Sequence, residues 1–375
     1  MKVGILGGGQ LARMLAEAGV PMGLEFVFFD PKPDACAAAL GELVVGDWHD
    51  AEARSRLEDC DRITADFENV PAEVLDSLAE RVTVRPAPSA FAAAQDRLEE
   101  KRMFERLDIP VGPFAPVSSR SELLEAIERI GLPAVLKTRR LGYDGKGQAV
   151  LRSQEDLEPA WQRLGDHDLI LEGWVDYRHE CAMTAVRSAS GEVRCYPLSW
   201  TVHADGILRL ALAPAPVAAE LQERAEVLAR RLIEALDYVG ALSLELFATA
   251  DGLLANEFAP RVHNSAHWTI EGAVTSQFEN HLRAVCDWPL GDTSARGHSL
   301  MVNWIGEMPG PGQLLDIPGL AWHDYTKAPR PGRKIGHATL VAETADELSG
   351  RALKLADRLD PQAGSLLKGL MTPEG

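Results

Sequence analysis

Arg140-Leu-Gly142-Tyr143-Asp144-Gly145-Lys146-Gly147-Gln148 is the stretch on which the fold turns. Strand-like runs flank it, Ala134 to Arg140 and Gln148 to Arg152, and the first carries Lys137. Glycines at 142, 145 and 147 let the backbone bend over a polyphosphate, while Lys137 and Lys146 supply counter-charge. The Walker pattern is absent: Arg140 stands where its first glycine would fall, and Gly147 where a Ser or Thr should follow the lysine. An ordinary hairpin turn is the alternative, although two residues would suffice for one.

Around the loop, a helix over 121–130, the two flanking strands, a helix over 154–164 and a strand from Asp168 to Val175 make a small α+β unit. Upstream, short apolar runs at Lys2 to Leu6, Glu25 to Phe29, Leu43 to Val45, Arg62 to Phe67 and Val82 to Arg85 alternate with helical stretches, the pattern of a parallel α/β sheet. Pro86, Pro88 and Ser89 close that region, and a charged helix from Asp96 to Leu107 bridges to the next. Downstream, antiparallel strands are expected at 180–187, 193–202 and 207–213, then a helix over 218–236 with Leu221, Ala225, Leu228, Leu232 and Leu236 on its core face. Strands at 241–248 and 253–260 flank Ala250-Asp251-Gly252, and three more, near 299–305, 319–325 and 334–341, precede a helix over 345–359. The expected divisions are 1–95, 96–175, 176–300 and 301–375, combining α/β and α+β architecture.

A chain of 375 residues exceeds what one core usually serves, so two or three packed domains are expected. Hydrophobic residues at 46% and charged residues at 25% exclude a disordered or fibrous protein. Acidic residues outnumber basic ones 56 to 38, a net charge of −18 that repels a phosphate backbone, so no nucleic-acid partner is expected and anionic ligands need local basic clusters. Cys36, Cys60, Cys181, Cys195 and Cys286 lack any CxxC spacing and read as reduced thiols, with neither disulfide nor zinc site. The opening Met1-Lys-Val-Gly-Ile-Leu-Gly7 is too short an apolar run for a signal peptide or a membrane span, so a cytoplasmic location with no membrane partner is expected.

Three further constellations carry chemistry. From Gly7, the run Gly7-Gly-Gly9-Gln10-Leu11-Ala12 fits the G-x-G-x-x-A dinucleotide fingerprint, with Asp30 ending the second strand. Alone it favours a nicotinamide dehydrogenase, but a glycine turn at a helix N-terminus binds any phosphate, or serves only as a tight turn. Glu245 and Glu257 lie in the strands around Asp251. A three-residue loop with Gly252 left-handed would pair Thr249 with Leu253 and set the two carboxylates side by side, where they repel unless a cation lies between them; magnesium on nucleotide phosphates suits such oxygens. A two-residue loop would put them on opposite faces. Finally, Lys327, Arg330, Arg333 and Lys334 crowd one Pro/Gly-rich turn, either a solvated loop or a phosphate-binding cluster.

Taken together, Gly-Gly-Gly-Gln-Leu-Ala at 7–12, Asp66-Phe-Glu68-Asn-Val, the Tyr-Asp glycine loop, Asn256-Glu-Phe-Ala-Pro-Arg261-Val-His263-Asn264-Ser and Arg-Pro-Gly-Arg-Lys-Ile-Gly-His resemble the N5-carboxyaminoimidazole ribonucleotide synthases, a branch of the ATP-grasp ligases. The resemblance covers nearly the whole chain in order. It implies an ATP-grasp fold with an N-terminal Rossmann-like domain, a small mobile α+β lid and a larger antiparallel α+β domain, in a homodimer. It implies ATP contacts from Arg97, Lys137, Gly142 to Gln148, Glu172, Gly173, Trp174, Val175, Glu180, His203, Asn256 and Glu257, with magnesium on Glu245 and Glu257. The family's nucleotide site corresponds to Gln10, Leu11, Glu68, Tyr143, Asp144, Lys146, Lys327, Arg333 and Lys334, and its reacting centre to Asp144, Lys146, Arg261, His263 and Asn264. Ala266 and Ala65 depart from residues common in the family, and Ala259 stands where many ATP-grasp enzymes carry a metal-binding asparagine.

The implied reaction joins bicarbonate to 5-aminoimidazole ribonucleotide at the expense of ATP, through carboxyphosphate, in purine synthesis. Asp144, His263 or a water would handle the amine proton. A dehydrogenase, a non-catalytic nucleotide sensor and a formate-dependent transformylase of the same pathway are the rivals.

Overall fold

The computed structural model describes residues 1–142 and 147–372; Tyr143, Asp144, Gly145 and Lys146 lie outside them. Strands β1 (Lys2–Leu6), β2 (Glu25–Asp30), β3 (Glu42–Val45) and β4 (Arg62–Ala65) form a parallel sheet in the order β3-β2-β1-β4. Its inner strands are buried on both faces, as the unbroken Phe26-Val-Phe-Phe29 run of β2 requires. The expected strand at 82–85 contributes only a bridge between Ile63 and Val84.

Asp96 caps the bridging helix Arg97–Arg106 by accepting from Leu98 N at 3.0 Å, and it also takes two hydrogen bonds from Arg139, at 3.0 and 2.7 Å. One carboxylate thereby ties the bridge to the next unit. That unit is an antiparallel sheet of β5 (Phe114–Val117), β6 (Ala134–Thr138), β7 (Gln148–Leu151) and β8 (Leu169–Gly173), ordered β5-β8-β6-β7, with helices Arg120–Ile130 and Leu157–Leu164 packed on it. β5 is absent from the sequence reading because Pro116 interrupts it. As an edge strand it tolerates the missing donor, and Pro116 points to solvent.

The remaining strands are β9 (His179–Arg187), β10 (Val193–Cys195), β11 (Ser199–Ala204), β12 (Ile207–Ala213), β13 (Gly240–Thr249), β14 (Gly252–Ala259), β15 (His298–Ile305), β16 (Leu320–Asp324) and β17 (Lys334–Ala342). They form one nine-stranded sheet, β14-β13-β9-β11-β12-β15-β17-β16, with β10 on β9. The single strand expected over 193–202 is two. Pro197 breaks it, and the buried Tyr196 turns inward to donate its hydroxyl to the Thr275 carbonyl at 3.0 Å. The division expected at 300/301 falls inside β15, which pairs with β12 through Leu210 opposite Val302 and Leu212 opposite Leu300, so 176–300 and 301–375 share a sheet and its core. Helix Ala345–Ala356 is joined in that core by an unanticipated second helix, Pro361–Met371, which starts on an Asp360 cap with proline at its first position.

The N-terminal sheet docks on the large one through a buried histidine. His281 Nδ1 accepts from Ala241 N on β13 at 3.1 Å, so its Nε2–H faces Thr64 Oγ1 on β4 at 2.8 Å. All five cysteines are free, and no described helix is long and apolar enough to cross a membrane.

Candidate active site

The hairpin of β13 and β14 closes with Thr249 opposite Gly252, a two-residue turn and not the expected three-residue loop. Continued in that register, Glu245 and Glu257 would point to opposite faces. A bulge intervenes: Leu246 pairs with Ala255 but Leu244 with Phe258, so Asn256 and Glu257 together oppose Glu245. The two carboxylates end up on one side by another route. Arg97 Nη1 donates to Glu257 at 2.6 Å, and His263 Nε2 lies 3.2 Å from Glu245. Burial, with the Glu257 charge adding to it, pushes the Glu245 carboxyl up to about 7. Burial opposes the Glu257 anion as well, but Arg97 outweighs it and holds that carboxyl below the usual range. Two hard oxygen donors forced together, one reluctant to ionise, fit a divalent cation.

Beside them, Lys137 on β6 donates to Glu172 on β8 at 3.0 Å, and Lys101 Nζ approaches the same oxygen at 3.5 Å. Lys101 also donates to the Asn256 carbonyl at 2.6 Å. Gly173, Trp174 and Val175 follow, anchored by Trp174 N on the Pro133 carbonyl at 3.1 Å. Glu180 on β9 is hydrogen-bonded to His203 on β11 and accepts from the Tyr177 hydroxyl at 2.7 Å; burial disfavours the imidazolium, but the carboxylate prevails and raises His203 above its ordinary value. Arg97 Nη2 reaches the Gly142 carbonyl at 3.2 Å, and Gly147, at φ +71°, accepts from Thr138 N at 2.8 Å as the chain enters Gln148 and β7.

Lys101 and Glu100 are site residues that sequence reasoning missed. Glu100 is buried, accepts from Phe258 N at 2.7 Å, and is pushed up to about 8 by burial and by Glu257. The signal was present: Arg97, Glu100, Lys101 and Phe104 share one helix face at i, i+3, i+4 and i+7, where charges in place of apolar residues mark a polar cleft.

The N-terminal glycine turn is built differently from a dinucleotide cradle. Asp66 Oδ2 accepts from Gly9 N and Ala12 N, both at 3.0 Å, and Asp30 accepts from Gly8 N at 2.8 Å. The amides of Gly8, Gly9 and Ala12, which would hold a pyrophosphate, are occupied by the protein's own carboxylates; among the described residues, Gln10 and Leu11 are the first-turn amides without one. Gly7, at φ +107°, has no room for a side chain, since a Cβ would lie 1.6 Å from Asp66 Oδ1. Lys327 reaches across to Gln10 Oε1 at 2.5 Å. The basic turn is set by Arg333 N on the Arg330 carbonyl at 3.0 Å, with Gly332 at φ +72°.

Arg261, His263 and Asn264 follow β14. Arg261 Nε donates to Glu68 at 2.5 Å, joining the large sheet to the N-terminal domain. His263 caps a short turn: its Nδ1 accepts from Ser265 N at 3.3 Å, so a neutral ring carries its proton on Nε2, towards Glu245. Burial first, then Arg261 and Lys334, hold it well below the ordinary imidazole range. Gln277, also missed from sequence, clamps the His263 backbone, accepting from its N–H at 2.9 Å and donating to its carbonyl at 2.7 Å. One pocket is lined by Glu68, Arg97, Gly142, His203, Glu245, Glu257, Arg261, His263, Asn264 and Lys334; a smaller one beside it is lined by Lys101, Glu172, Gly173 and Val175. Gln10, Leu11, Lys327 and Arg333 are not among the described residues of either lining.

A small antiparallel sheet beside a larger one, with a buried lysine, a carboxylate pair and a pocket lined by residues of both units, defines an ATP-grasp ligase. Family models match 1–95 as the ribonucleotide synthetase preATP-grasp domain, 102–278 as the ATP-grasp domain and 299–351 as the phosphoribosylaminoimidazole carboxylase C-terminal domain. The N5-carboxyaminoimidazole ribonucleotide synthase of Pseudomonas aeruginosa is 51% identical over 94% of this chain and 97% of its own length. The crystal structure of the corresponding synthetase from Thermus thermophilus superposes with a TM-score of 0.92 at 51% identity, covering 96% of this chain and 98% of that one. That of Aspergillus clavatus, in complex with ADP and 5-aminoimidazole ribonucleotide, gives 0.89 at 33% identity, covering 96% and 98%. The chain belongs to the N5-carboxyaminoimidazole ribonucleotide synthase family, ligases of purine biosynthesis.

Proposed function

We propose that this chain uses ATP to carboxylate 5-aminoimidazole ribonucleotide with bicarbonate, giving N5-carboxyaminoimidazole ribonucleotide, ADP and phosphate through carboxyphosphate. The observation that carries the reading is the one pocket to which Glu68 of the N-terminal domain, the Glu245–Glu257 pair, the 261–264 segment and Lys334 of the C-terminal strands all contribute. A phosphorylating centre and an acceptor nucleotide can share that space.

In this reading ATP lies along Lys137, Glu172 to Val175 and the 142–148 loop, with Glu180, His203, Asn256 and Arg97 around it. Glu245 and Glu257 would hold magnesium, which when bound neutralises phosphate charge during transfer. Bicarbonate oxygen attacks the γ-phosphoryl group, ADP leaves, and carboxyphosphate releases carbon dioxide to the amine of the nucleotide. Arg261, fixed by Glu68, and the amide of Asn264 orient the carboxyl group, while enclosure keeps out the water that would destroy carboxyphosphate. Because His263 Nδ1 already takes a backbone N–H, His263 acts as a donor towards Glu245, and the amine proton falls to Asp144 or a water. The nucleotide phosphate goes to Lys327, Arg333, Lys334 and the amides of Gln10 and Leu11, and the family resemblance assigns Tyr143, Asp144 and Lys146 to the same nucleotide site.

A cytoplasmic homodimer is the assembly proposed with it, checked by light scattering in solution. The filled cradle at Asp66 supports this reading over a dinucleotide enzyme. The decisive assay follows ADP release with bicarbonate and 5-aminoimidazole ribonucleotide omitted in turn, and with formate substituted. Full ADP release without bicarbonate, or with formate in its place, would overturn the proposal.

A further inference from the structure

The side-chain amides of Asn264 and Asn303 meet head to tail. Asn264 Nδ2 donates to Asn303 Oδ1 at 3.1 Å, and Asn303 Nδ2 returns a bond to Asn264 Oδ1 at 2.7 Å. Asn303 Nδ2 makes a further bond to the Leu208 carbonyl on β12 at 3.0 Å. A carbonyl only accepts, so this third bond fixes which end of the Asn303 amide is nitrogen, and the pairing then fixes the Asn264 amide as well. Both residues are buried, Asn303 at 5% and Asn264 at 9% exposure, where a reversed amide would oppose like atoms at unsatisfied distance. Asn303 sits in β15, opposite His337 of β17, so its backbone is set by the sheet. Asn264, by contrast, opens a short turn at the pocket.

We infer that Asn303 is a positioning residue for the carboxylation, acting from the C-terminal strands by locking the Asn264 amide in one orientation. The inference rests on the reading of Asn264 as part of the reacting centre. Of the two N–H bonds and two lone pairs on the Asn264 amide, the pair consumes one of each. The other N–H and lone pair are left in fixed directions, and a fixed N–H suits a carboxyl oxygen of bicarbonate, carboxyphosphate or carbon dioxide. Asn303 is not among the described residues lining the pocket, so its influence on chemistry must pass through Asn264.

The test compares Asn303→Leu, Asn303→Asp, Asn264→Ala and the double variant Asn264→Ala/Asn303→Leu. For each, kcat for the carboxylated nucleotide, KM for ATP and the ratio of ADP released to product formed are measured. Asn303→Leu removes the pair; Asn303→Asp keeps the size and an acceptor but has at most one proton for the Asn264 and Leu208 oxygens that the amide nitrogen served together, and it gives a second reading if the leucine variant does not fold. Either variant should lower kcat roughly ten- to hundred-fold, leave the ATP KM within about twofold, and raise ADP released per product, because phosphorylation outruns capture. The double variant should match Asn264→Ala alone, a non-additivity that a merely structural role would not give. Losses that add in the double variant, or Asn303 variants with normal coupling beside a crippled Asn264→Ala, overturn the inference while sparing the reading of Asn264. A near-normal Asn264→Ala overturns both.

Discussion

Glu245→Gln should raise the melting temperature of the metal-free protein, Glu257→Gln should lower it, and both should cost at least roughly a hundredfold in turnover. The opposite signs come from Arg97, which pairs with one carboxylate only. Glu245 is pushed from an ordinary 4.5 to about 7, so the fold binds more protons than the unfolded chain between those values. Its contribution is present below 4.5 and lost as pH rises through 7; at pH 8 the full cost of the buried anion, about 3 kcal/mol, is in place. Glutamine removes that charge and still accepts from His263. With roughly 2.1 cal/mol/K of unfolding entropy per residue, about 3 kcal/mol over a chain this long is a gain of about 4 °C. At Glu257, whose side chain is 39% exposed, solvent screens the pair, and loss of Arg97's partner should cost about 1 kcal/mol, a fall of one to two degrees. The assay is thermal melting in chelator at pH 8 and again at pH 5, where wild-type Glu245 is protonated and the gain should vanish. Equal shifts in both variants, or a gain at Glu245 that ignores pH, would refute the electrostatic reasoning.

Arg333→Ala should raise the KM for 5-aminoimidazole ribonucleotide by roughly ten- to hundred-fold, the loss of one charge-assisted contact, with the ATP KM unchanged in steady-state kinetics. His281, held down to about 4 by burial, leaves the fold with fewer bound protons than the unfolded chain between 4 and 6.5. Stability is therefore intact above 6.5 and declines as pH falls towards 4, by up to about 3 kcal/mol; His281→Gln, which keeps an acceptor for Ala241 and a donor for Thr64, should flatten that slope in urea titrations. Gly7→Ala meets both a positive φ and the Asp66 carboxylate, and should cost about 3 kcal/mol or more by urea denaturation, where a loss under 1 kcal/mol would show that Asp66 yields easily.

Periodicity and turn residues made most elements legible, because the N-terminal strands carry short apolar runs, unbroken from Phe26 to Phe29 in β2, and the helix at 219–235 keeps its stripe. Failures fell where tertiary context overrides local pattern. Pro116 hides an edge strand that only its position in the sheet permits, and nothing local announces that β12 and β15 are neighbours. The carboxylate pairing was reached through a wrong turn length, since a bulge carries no signature in Asn256-Glu257 that sequence spacing can read. The motif residues around Glu68, Arg261 and His263 were visible because their chemistry is concentrated; Gln277 and Asn303, which hold that segment in place, are ordinary amides in a helix and a strand and acquire meaning only from what they touch. Asp66 stands in a motif that sequence makes plain, but its filling of the glycine turn depends on where its two oxygens lie in space.

The joining of β12 to β15 also sets a timetable for synthesis. As the chain leaves the ribosome, β13 and β14 can return to β9 early, while the other flank of the sheet stays open with Leu210 and Leu212 on an unpaired edge. Only when β15, β17 and β16 emerge is that edge covered, so a chain stopped near residue 300 would expose the unpaired β12 edge with Leu210 and Leu212, the kind of surface that aggregates or is bound by chaperones.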